Sequence, residues 1–120
     1  MADKDLLIEL QELVTRRIDE HVEGSYTAYL IDAGLDKILK KVGEESAETI
    51  IAAKNLAACA NDNAAEAEAR EALKGEAGDL LYHLIVMLEV LGVGAGEVED
   101  LLRERMKKKG NLKDGLKNAR

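Results

Sequence analysis

Hydrophobic residues recur along this chain every three or four positions, which is the spacing that an amphipathic helix requires. The first stretch of this kind begins at Leu6 and predicts a helix over about residues 6–23. Asp3 or Asp5 is placed to cap the start of this helix, and Gly24 is expected to end it.

Two further helices are predicted in the middle of the chain. The segment SYTAYLIDAG indicates a short helix that is capped by Ser25 or Thr27 and closed by Gly34. A longer helix is expected over about residues 35–60, where the apolar positions fall on one face. The polar sequence NDN at 61–63 then predicts a turn.

The longest predicted helix covers about residues 64–91, and it is apolar on nearly all sides after Asp79. A helix that lacks a polar face is buried by several neighbours, so we expect a second subunit to cover part of it. The glycine-rich sequence GVGAG interrupts the chain, and a last amphipathic helix is predicted over about residues 97–109.

The composition favours the same all-α fold. Hydrophobic residues make up 47% of the chain, yet it contains no Phe, Trp or Pro and only three Tyr. A core of Leu, Ile, Val, Ala and Met suits helices, and the lack of Pro removes the commonest helix breaker. With 120 residues, we predict one domain over residues 1–120, a bundle of four to five helices completed by dimerisation.

The charge is negative overall but unevenly distributed. The net charge is -7, whereas residues 103–120 carry eight basic and two acidic side chains, so residues 1–102 carry about -13. We expect segment 103–120 to be partly mobile. An acidic body argues against nucleic acid or an anionic membrane as a partner, and it requires a bridging cation if the ligand is a polyanion.

The expected location is the cytoplasm. No apolar run approaches the roughly 20 residues of a membrane span, and the N-terminal sequence MADKDLLIELQEL is too acidic for a signal peptide. The single cysteine, Cys59, cannot form an internal disulfide.

Each of the two longest predicted helices carries a pair of acidic residues three positions apart, and residues at this spacing share a helix face. On a helical wheel Glu45 lies only about 20° from Ile38, inside the apolar stripe. The two pairs are Glu45 with Glu48, and Glu76 with Asp79.

Carboxylates that face one another across a helical interface repel, and burying them unpaired costs several kcal/mol each. A divalent cation resolves this conflict, and Mg²⁺ prefers hard oxygen ligands together with substrate phosphates. A spare carboxylate can orient or deprotonate an attacking water. The alternative, which the pattern leaves open, is that such pairs are solvated helix faces in a chain that is 34% charged.

Two other side chains have both a functional and a structural interpretation. His83, four residues after Asp79, suits either a contact to the substrate or metal ligands, or a satisfied histidine of the core. Lys41, next to Glu48 on the helix flank, is the best candidate for a phosphate contact, although lysines there are usually surface charges.

The segment KKVGEESAETIIAAKN followed by GEAGDLLYHLIVML resembles the E-x-x-E … E-x-x-D signature of the all-α nucleoside triphosphate pyrophosphohydrolases. Within that superfamily, GSYTAYLIDAG and DLLYHL are similar to the phosphoribosyl-ATP pyrophosphohydrolases of histidine biosynthesis. The resemblance covers about residues 10–105.

This resemblance implies an α-helical dimer or higher assembly that uses Mg²⁺ to hydrolyse phosphoribosyl-ATP to phosphoribosyl-AMP and pyrophosphate. By motif it makes Glu45, Glu48, Glu76 and Asp79 the metal ligands. Catalytic roles are expected for Glu44, Glu45 and Glu48, without a decision on which is the base. Contacts to the substrate are expected from Ser25, Tyr26, Thr27, Lys41 and His83.

Two alternatives remain from the sequence. One is a house-cleaning pyrophosphatase of the same superfamily, against which SYTAYL and Tyr82–His83 argue. The other is a non-enzymatic helical interaction module whose acidic side chains are merely solvated. A ferritin-like dimetal bundle is disfavoured because the chain contains no Glu-x-x-His motif.

Overall fold

A computed structural model describes residues 5–108 and shows an all-α architecture, which confirms the predicted fold class. Within this range there are five helices and no strand. The helices are α1 (Leu6–Glu20), α2 (Tyr26–Ala33), α3 (Leu35–Ala57), α4 (Asn63–Val90) and α5 (Ala95–Met106).

The end of α1 differs from the prediction. His21 takes a left-handed conformation with φ 43°, and its backbone N–H donates to the carbonyl of Arg17. The His21 side chain lies 2.9 Å from the Asp32 carboxylate, a contact across the turn that helical periodicity does not reveal. The prediction that Gly24 ends this helix is therefore wrong, and Gly24, with φ 87°, lies in the turn that follows.

Asp5 precedes the start of α1, but its side chain makes no capping hydrogen bond. Asp3, the other predicted cap of this helix, lies outside the described residues.

The short helix α2 is confirmed. Its cap is Ser25 and not Thr27, because the Ser25 hydroxyl oxygen accepts a hydrogen bond from the backbone N–H of Ala28 at 3.1 Å.

Helices α3 and α4 pack along one another as a long hairpin, and α1 packs on α4 while α2 packs on α3. The predicted turn at 61–63 is confirmed at its first two residues, with Asn61 at φ 60° and Asp62 as the cap of α4, whereas Asn63 is already the first residue of that helix. Helix α3 ends at Ala57, three residues before its predicted end, and α5 begins at Ala95, two residues before its predicted start.

The start of α5 is held by side chains. The Glu97 carboxylate accepts from the backbone N–H of Gly94 at 2.8 Å. Gln11 of α1 accepts from the backbone N–H of Ala95 at 2.6 Å and donates to the carbonyl of Val93 at 2.9 Å. These contacts join the start of α5 to α1.

The core consists of aliphatic side chains from all five helices. Its buried members are Val14, Leu30, Ile38, Ile85, Val86 and Ala95. The second half of α4 is not covered on all sides within one chain, because Leu81 is 46% exposed and Val90 is 40% exposed. Completion of the bundle by a second copy therefore stays a prediction.

Segment 103–120 is described only as far as residue 108, and its basic residues up to Arg105 lie in α5. The predicted mobility of its remainder concerns residues 109–120, which lie outside the described part. No single helix within residues 5–108 has the length and apolar character of a membrane span. Helices α4 and α5 reach that length and apolar character only when they are taken together, and the two helices are bent by 113° relative to one another.

Candidate active site

Three carboxylates converge where α3 faces α4. One oxygen from each of Glu45, Glu76 and Asp79 lies within 4.8 Å of the other two. Glu45 projects from the middle of α3, and the other two project from α4 one helical turn apart. The hairpin thus brings together acidic residues that are about 30 positions apart in the sequence.

Glu48, the fourth acidic residue of the predicted set, adjoins this group from the more exposed side of α3. Hydrogen bonding to Glu48 and its negative charge both raise the pKa of Glu76 and of Glu45. The four residues therefore form one electrostatic unit, which we call the carboxylate cluster: Glu45, Glu48, Glu76 and Asp79.

Protons are held unusually tightly in the carboxylate cluster. The pKa of Glu76 is raised from 4.5 to about 7, chiefly by hydrogen bonding to Glu48 and then by burial. The pKa of Glu45, a residue only 8% exposed, is also raised, first by burial and then by Glu48 and Asp79. Crowded carboxylates bind a proton, or another cation, in order to reduce their mutual repulsion.

The cluster has the donor set of a hard divalent cation. Mg²⁺ takes oxygen ligands at about 2.0–2.1 Å, so its ligand atoms lie roughly 3–4 Å apart. The 4.8 Å spread of the three oxygens requires only small side-chain shifts to reach this geometry. In addition, Glu76 Oε2 is buried and has no hydrogen-bond partner among the described residues. The residues present therefore fit Mg²⁺.

His83 lies directly against the cluster and is only 4% exposed. Its Nδ1 is 2.8 Å from the main-chain carbonyl of Asp79 and 3.7 Å from a carboxylate oxygen of Glu45. Its Nε2 is 2.6 Å from the hydroxyl of Tyr26. His83 is thus a buried and satisfied side chain that also adjoins the candidate metal ligands, and its predicted contact to the substrate stays a prediction.

The remaining predicted substrate residues lie in different surroundings. Ser25 caps α2. Thr27 is fully buried and hydrogen-bonds to the Tyr82 hydroxyl. Lys41 is half-buried and forms no ion pair with a described residue, so it does not pair with Glu48. Their roles in substrate binding stay predictions.

Glu44 is exposed and is not among the three carboxylates whose oxygens converge. Its position on α3 next to Glu45 points it away from the buried face of the helix. A catalytic role for Glu44 stays a prediction.

The structure also shows a groove that sequence reasoning missed. It has a volume of about 430 Å³ and lies between α3 and the first half of α4, with Glu48 and Glu76 on its wall. Small side chains open it, since Ala65, Ala69 and Ala72 recur on one face of α4. This alanine spacing is visible in the sequence, but the groove exists only because α3 packs opposite these alanines.

Comparison with known proteins agrees with the geometry. The family model described as phosphoribosyl-ATP pyrophosphohydrolase matches residues 7–106. A protein of Pelotomaculum thermopropionicum named phosphoribosyl-ATP pyrophosphatase is 43% identical, over 91% of this chain and 99% of that protein. A protein of the same name from Streptococcus sanguinis is 46% identical, over 91% of this chain and 93% of that protein.

A third relative is longer. The histidine biosynthesis bifunctional protein HisIE of Lactococcus lactis is 41% identical over 93% of this chain, which corresponds to 47% of that protein. The match to the family model and the similarity over nearly the full length of single-function relatives lead to one conclusion: this chain belongs to the phosphoribosyl-ATP pyrophosphohydrolase family.

Proposed function

We propose that this chain hydrolyses phosphoribosyl-ATP to phosphoribosyl-AMP and pyrophosphate in histidine biosynthesis, and that it requires Mg²⁺ to do so. The names of its relatives, phosphoribosyl-ATP pyrophosphatase, support the substrate and the class of activity. The observation that carries the metal requirement is the convergence of Glu45, Glu76 and Asp79, together with the buried Glu76 Oε2, which has no hydrogen-bond partner among residues 5–108.

Glu45, Glu48, Glu76 and Asp79 are the residues that would hold the ion. When bound, Mg²⁺ supplies positive charge that neutralises the phosphates and the leaving pyrophosphate. Without it, a chain with a net charge of -7 and four carboxylates at one point would repel a polyphosphate.

The contribution of the protein is to position these groups. Glu45 is fixed by burial, whereas Glu48 is exposed and borders the groove, so Glu48 can accept a hydrogen bond from a water in the groove. Attack of that water on phosphorus breaks the bond between the α- and β-phosphates. Its proton passes to a carboxylate, for which Glu48, Glu45 and Glu44 are the candidates.

The proposal includes a homodimer or a higher homo-oligomer in the cytoplasm, with a small nucleotide as the ligand and with neither nucleic acid nor membrane as a partner. Exposed aliphatic side chains on α3 and α4 support the oligomer. The acidic composition supports the exclusion of nucleic acid.

The decisive experiment is pyrophosphate release from phosphoribosyl-ATP, with and without Mg²⁺, compared with ATP, dATP and dUTP under the same conditions. We expect Mg²⁺-dependent turnover that strongly favours phosphoribosyl-ATP. Preference for the ordinary triphosphates would favour the house-cleaning alternative. No release from any of them, together with no thermal stabilisation by Mg²⁺, would favour the interaction module.

A further inference from the structure

A chain of contacts runs from the surface of α2 to the carboxylate cluster. Tyr26, at the start of α2, is 45% exposed as a residue, but its hydroxyl reaches inward to Nε2 of His83 at 2.6 Å. The opposite side of the His83 ring, at Nδ1, meets the carbonyl of Asp79 and the carboxylate of Glu45. The imidazole is therefore held between α2, α3 and α4.

The directions of these hydrogen bonds follow from the chemistry of the partners. A carbonyl oxygen only accepts, so Nδ1 of His83 carries a proton and donates to Asp79. In the neutral ring Nε2 is then the acceptor, and the Tyr26 O–H donates to it. Burial and the Glu45 carboxylate raise the pKa of Tyr26, so its hydroxyl keeps the proton that this bond needs.

We propose that Tyr26 is a positioning residue: its hydroxyl fixes the ring of His83, and the ring in turn holds Glu45 in the geometry of the carboxylate cluster. This inference rests on the proposed function. It assigns the Tyr26 hydroxyl to the protein and not to the substrate, in contrast to the contact expected from the sequence.

The fixed ring affects Glu45 directly. The Nδ1 edge of His83 lies 3.7 Å from a Glu45 oxygen, so a ring that is fixed in place limits the positions that this carboxylate can take. If the Tyr26 hydroxyl is lost, Nε2 has no partner, and the imidazole is free to change its tautomer or its orientation. Partners behind metal ligands orient those ligands in this way, and their removal typically lowers metal affinity or activity by about 10- to 100-fold.

The direct test is the tautomer of His83, read from imidazole ¹⁵N chemical shifts of the metal-free protein in alkaline buffer. The parent should show His83 with the proton on Nδ1. Tyr26→Phe removes one oxygen atom and should populate the Nε2-protonated form. The chain has two histidines, and the exposed His21 provides an internal reference that should not change.

Kinetics and metal binding give the functional readout. Tyr26→Phe should lower kcat about tenfold, equivalent to about 1.4 kcal/mol, and leave KM within about twofold. The Mg²⁺ dissociation constant from calorimetry should rise about tenfold. The matched control is Tyr29→Phe, one helical turn along α2, where the hydroxyl forms no hydrogen bond with a described residue and the parent values should persist.

A double-mutant cycle tests whether Tyr26 acts through the imidazole. In a His83→Gln background, Tyr26→Phe should have no additional effect on kcat or Mg²⁺ affinity, whereas independent roles give additive effects. Thermal melts of each variant show whether the fold is retained.

Three outcomes would overturn the proposal: an unchanged His83 tautomer in Tyr26→Phe, a raised KM at parental kcat, or additivity in the cycle. A parent chain without turnover would refute the proposed function alone. The tautomer and the Mg²⁺ affinity would still decide whether Tyr26 positions the cluster.

Discussion

Glu45 lies in the part of the apolar stripe that also contains the fully buried Ile38. An ionised carboxylate at such a place costs several kcal/mol unless it is paired, and its nearest charged neighbours are acidic as well. The position of Glu45 therefore disfavours the stability of the fold, whereas it suits the binding of a cation. This conflict between stability and function leads to two predictions at the residue scale.

The first prediction concerns the negative charges of the cluster. Without Mg²⁺, Glu45→Gln, Glu48→Gln and Asp79→Asn should leave the melting temperature unchanged or slightly higher, because each removes one repelling charge. With Mg²⁺, turnover of phosphoribosyl-ATP should fall by about two or more powers of ten. Thermal melts and pyrophosphate release measured on the same samples decide the matter.

The matched control is Glu71→Gln, an exposed residue of α4 that pairs with Lys74 outside the cluster and should retain parental turnover. If the three cluster variants melt several degrees lower and hydrolyse at the parental rate, the acidic residues have a structural role and our assignment of the site is wrong.

The second prediction is a pH dependence of stability. Because the pKa of Glu76 is raised to about 7, the metal-free folded state binds this proton more tightly than the unfolded chain does. The resulting stabilisation is complete below about 4.5 and is lost as the pH rises through about 7. The melting temperature of the metal-free parent should therefore fall between pH 5 and pH 8 more steeply than that of Glu76→Gln.

Scanning calorimetry over this pH range measures the melting temperatures of the two proteins. Subtracting one from the other removes the contribution of groups that titrate in both. Mg²⁺ should restore stability at pH 8 in the parent and much less in Glu76→Gln. Parallel pH curves for the two proteins would contradict the raised pKa and the crowding that causes it.

At the scale of elements, α2 is short, and its end structures determine where Tyr26 is held. Ser25 caps its N-terminus, and Gly34, with φ 96°, closes it in a conformation that favours glycine. Two adjacent residues of α2, Tyr26 and Thr27, bond to two adjacent residues of α4, His83 and Tyr82. The two hydrogen bonds, Tyr26 to His83 and Thr27 to Tyr82, thus connect the capped start of α2 to the part of α4 that adjoins the carboxylate cluster.

The third prediction separates the cap from a substrate contact at Ser25. Ser25→Ala should lower the unfolding free energy by about 1 kcal/mol, because the backbone N–H of Ala28 loses its acceptor. Ser25→Asp keeps an acceptor and should recover most of this loss. Urea denaturation measures both values.

A substrate role for Ser25 would add a kinetic effect to this loss of stability. Ser25→Ala would then also raise KM for phosphoribosyl-ATP, and Ser25→Asp would recover the stability but bind the anionic substrate more weakly still.

At the scale of the whole molecule, the hairpin of α3 and α4 exposes aliphatic side chains close to the site. Ile50 is 65% exposed, Ile51 is 59% exposed, and Ile51 also lines the groove beside the carboxylate cluster. Apolar side chains grouped on a surface in this way mark an interaction site. A second copy of the chain is the occupant that the proposed function includes.

The fourth prediction is that the chain forms a dimer at micromolar concentration, with an interface that buries well over about 1,000 Å². Ile50→Glu should shift it toward the monomer in sedimentation velocity. Val22→Glu, at a position 54% exposed outside the hairpin, is the control and should remain dimeric. A parent that sediments as a stable monomer would refute the interface.

Local periodicity determined the elements of this protein. Helices, the Ser25 cap, the Gly34 stop and the turn before Asp62 depend on residues within a few positions of each other, so they were predictable from the chain. The shared face of Glu45 with Glu48, and of Glu76 with Asp79, follows from the same 3.6-residue repeat. The spacing of the acidic residues on the predicted helices therefore identified both pairs from the sequence.

The tertiary structure decided which of those faces meet. It placed Glu45 against Glu76, set Tyr26 on His83 across 57 positions, and brought His21, the residue after the end of α1, to Asp32. It also placed three alanines of α4 opposite α3, where they line one side of a groove. Helical periodicity gives the direction of a side chain around its own axis, whereas the partner on another helix depends on how the helices pack.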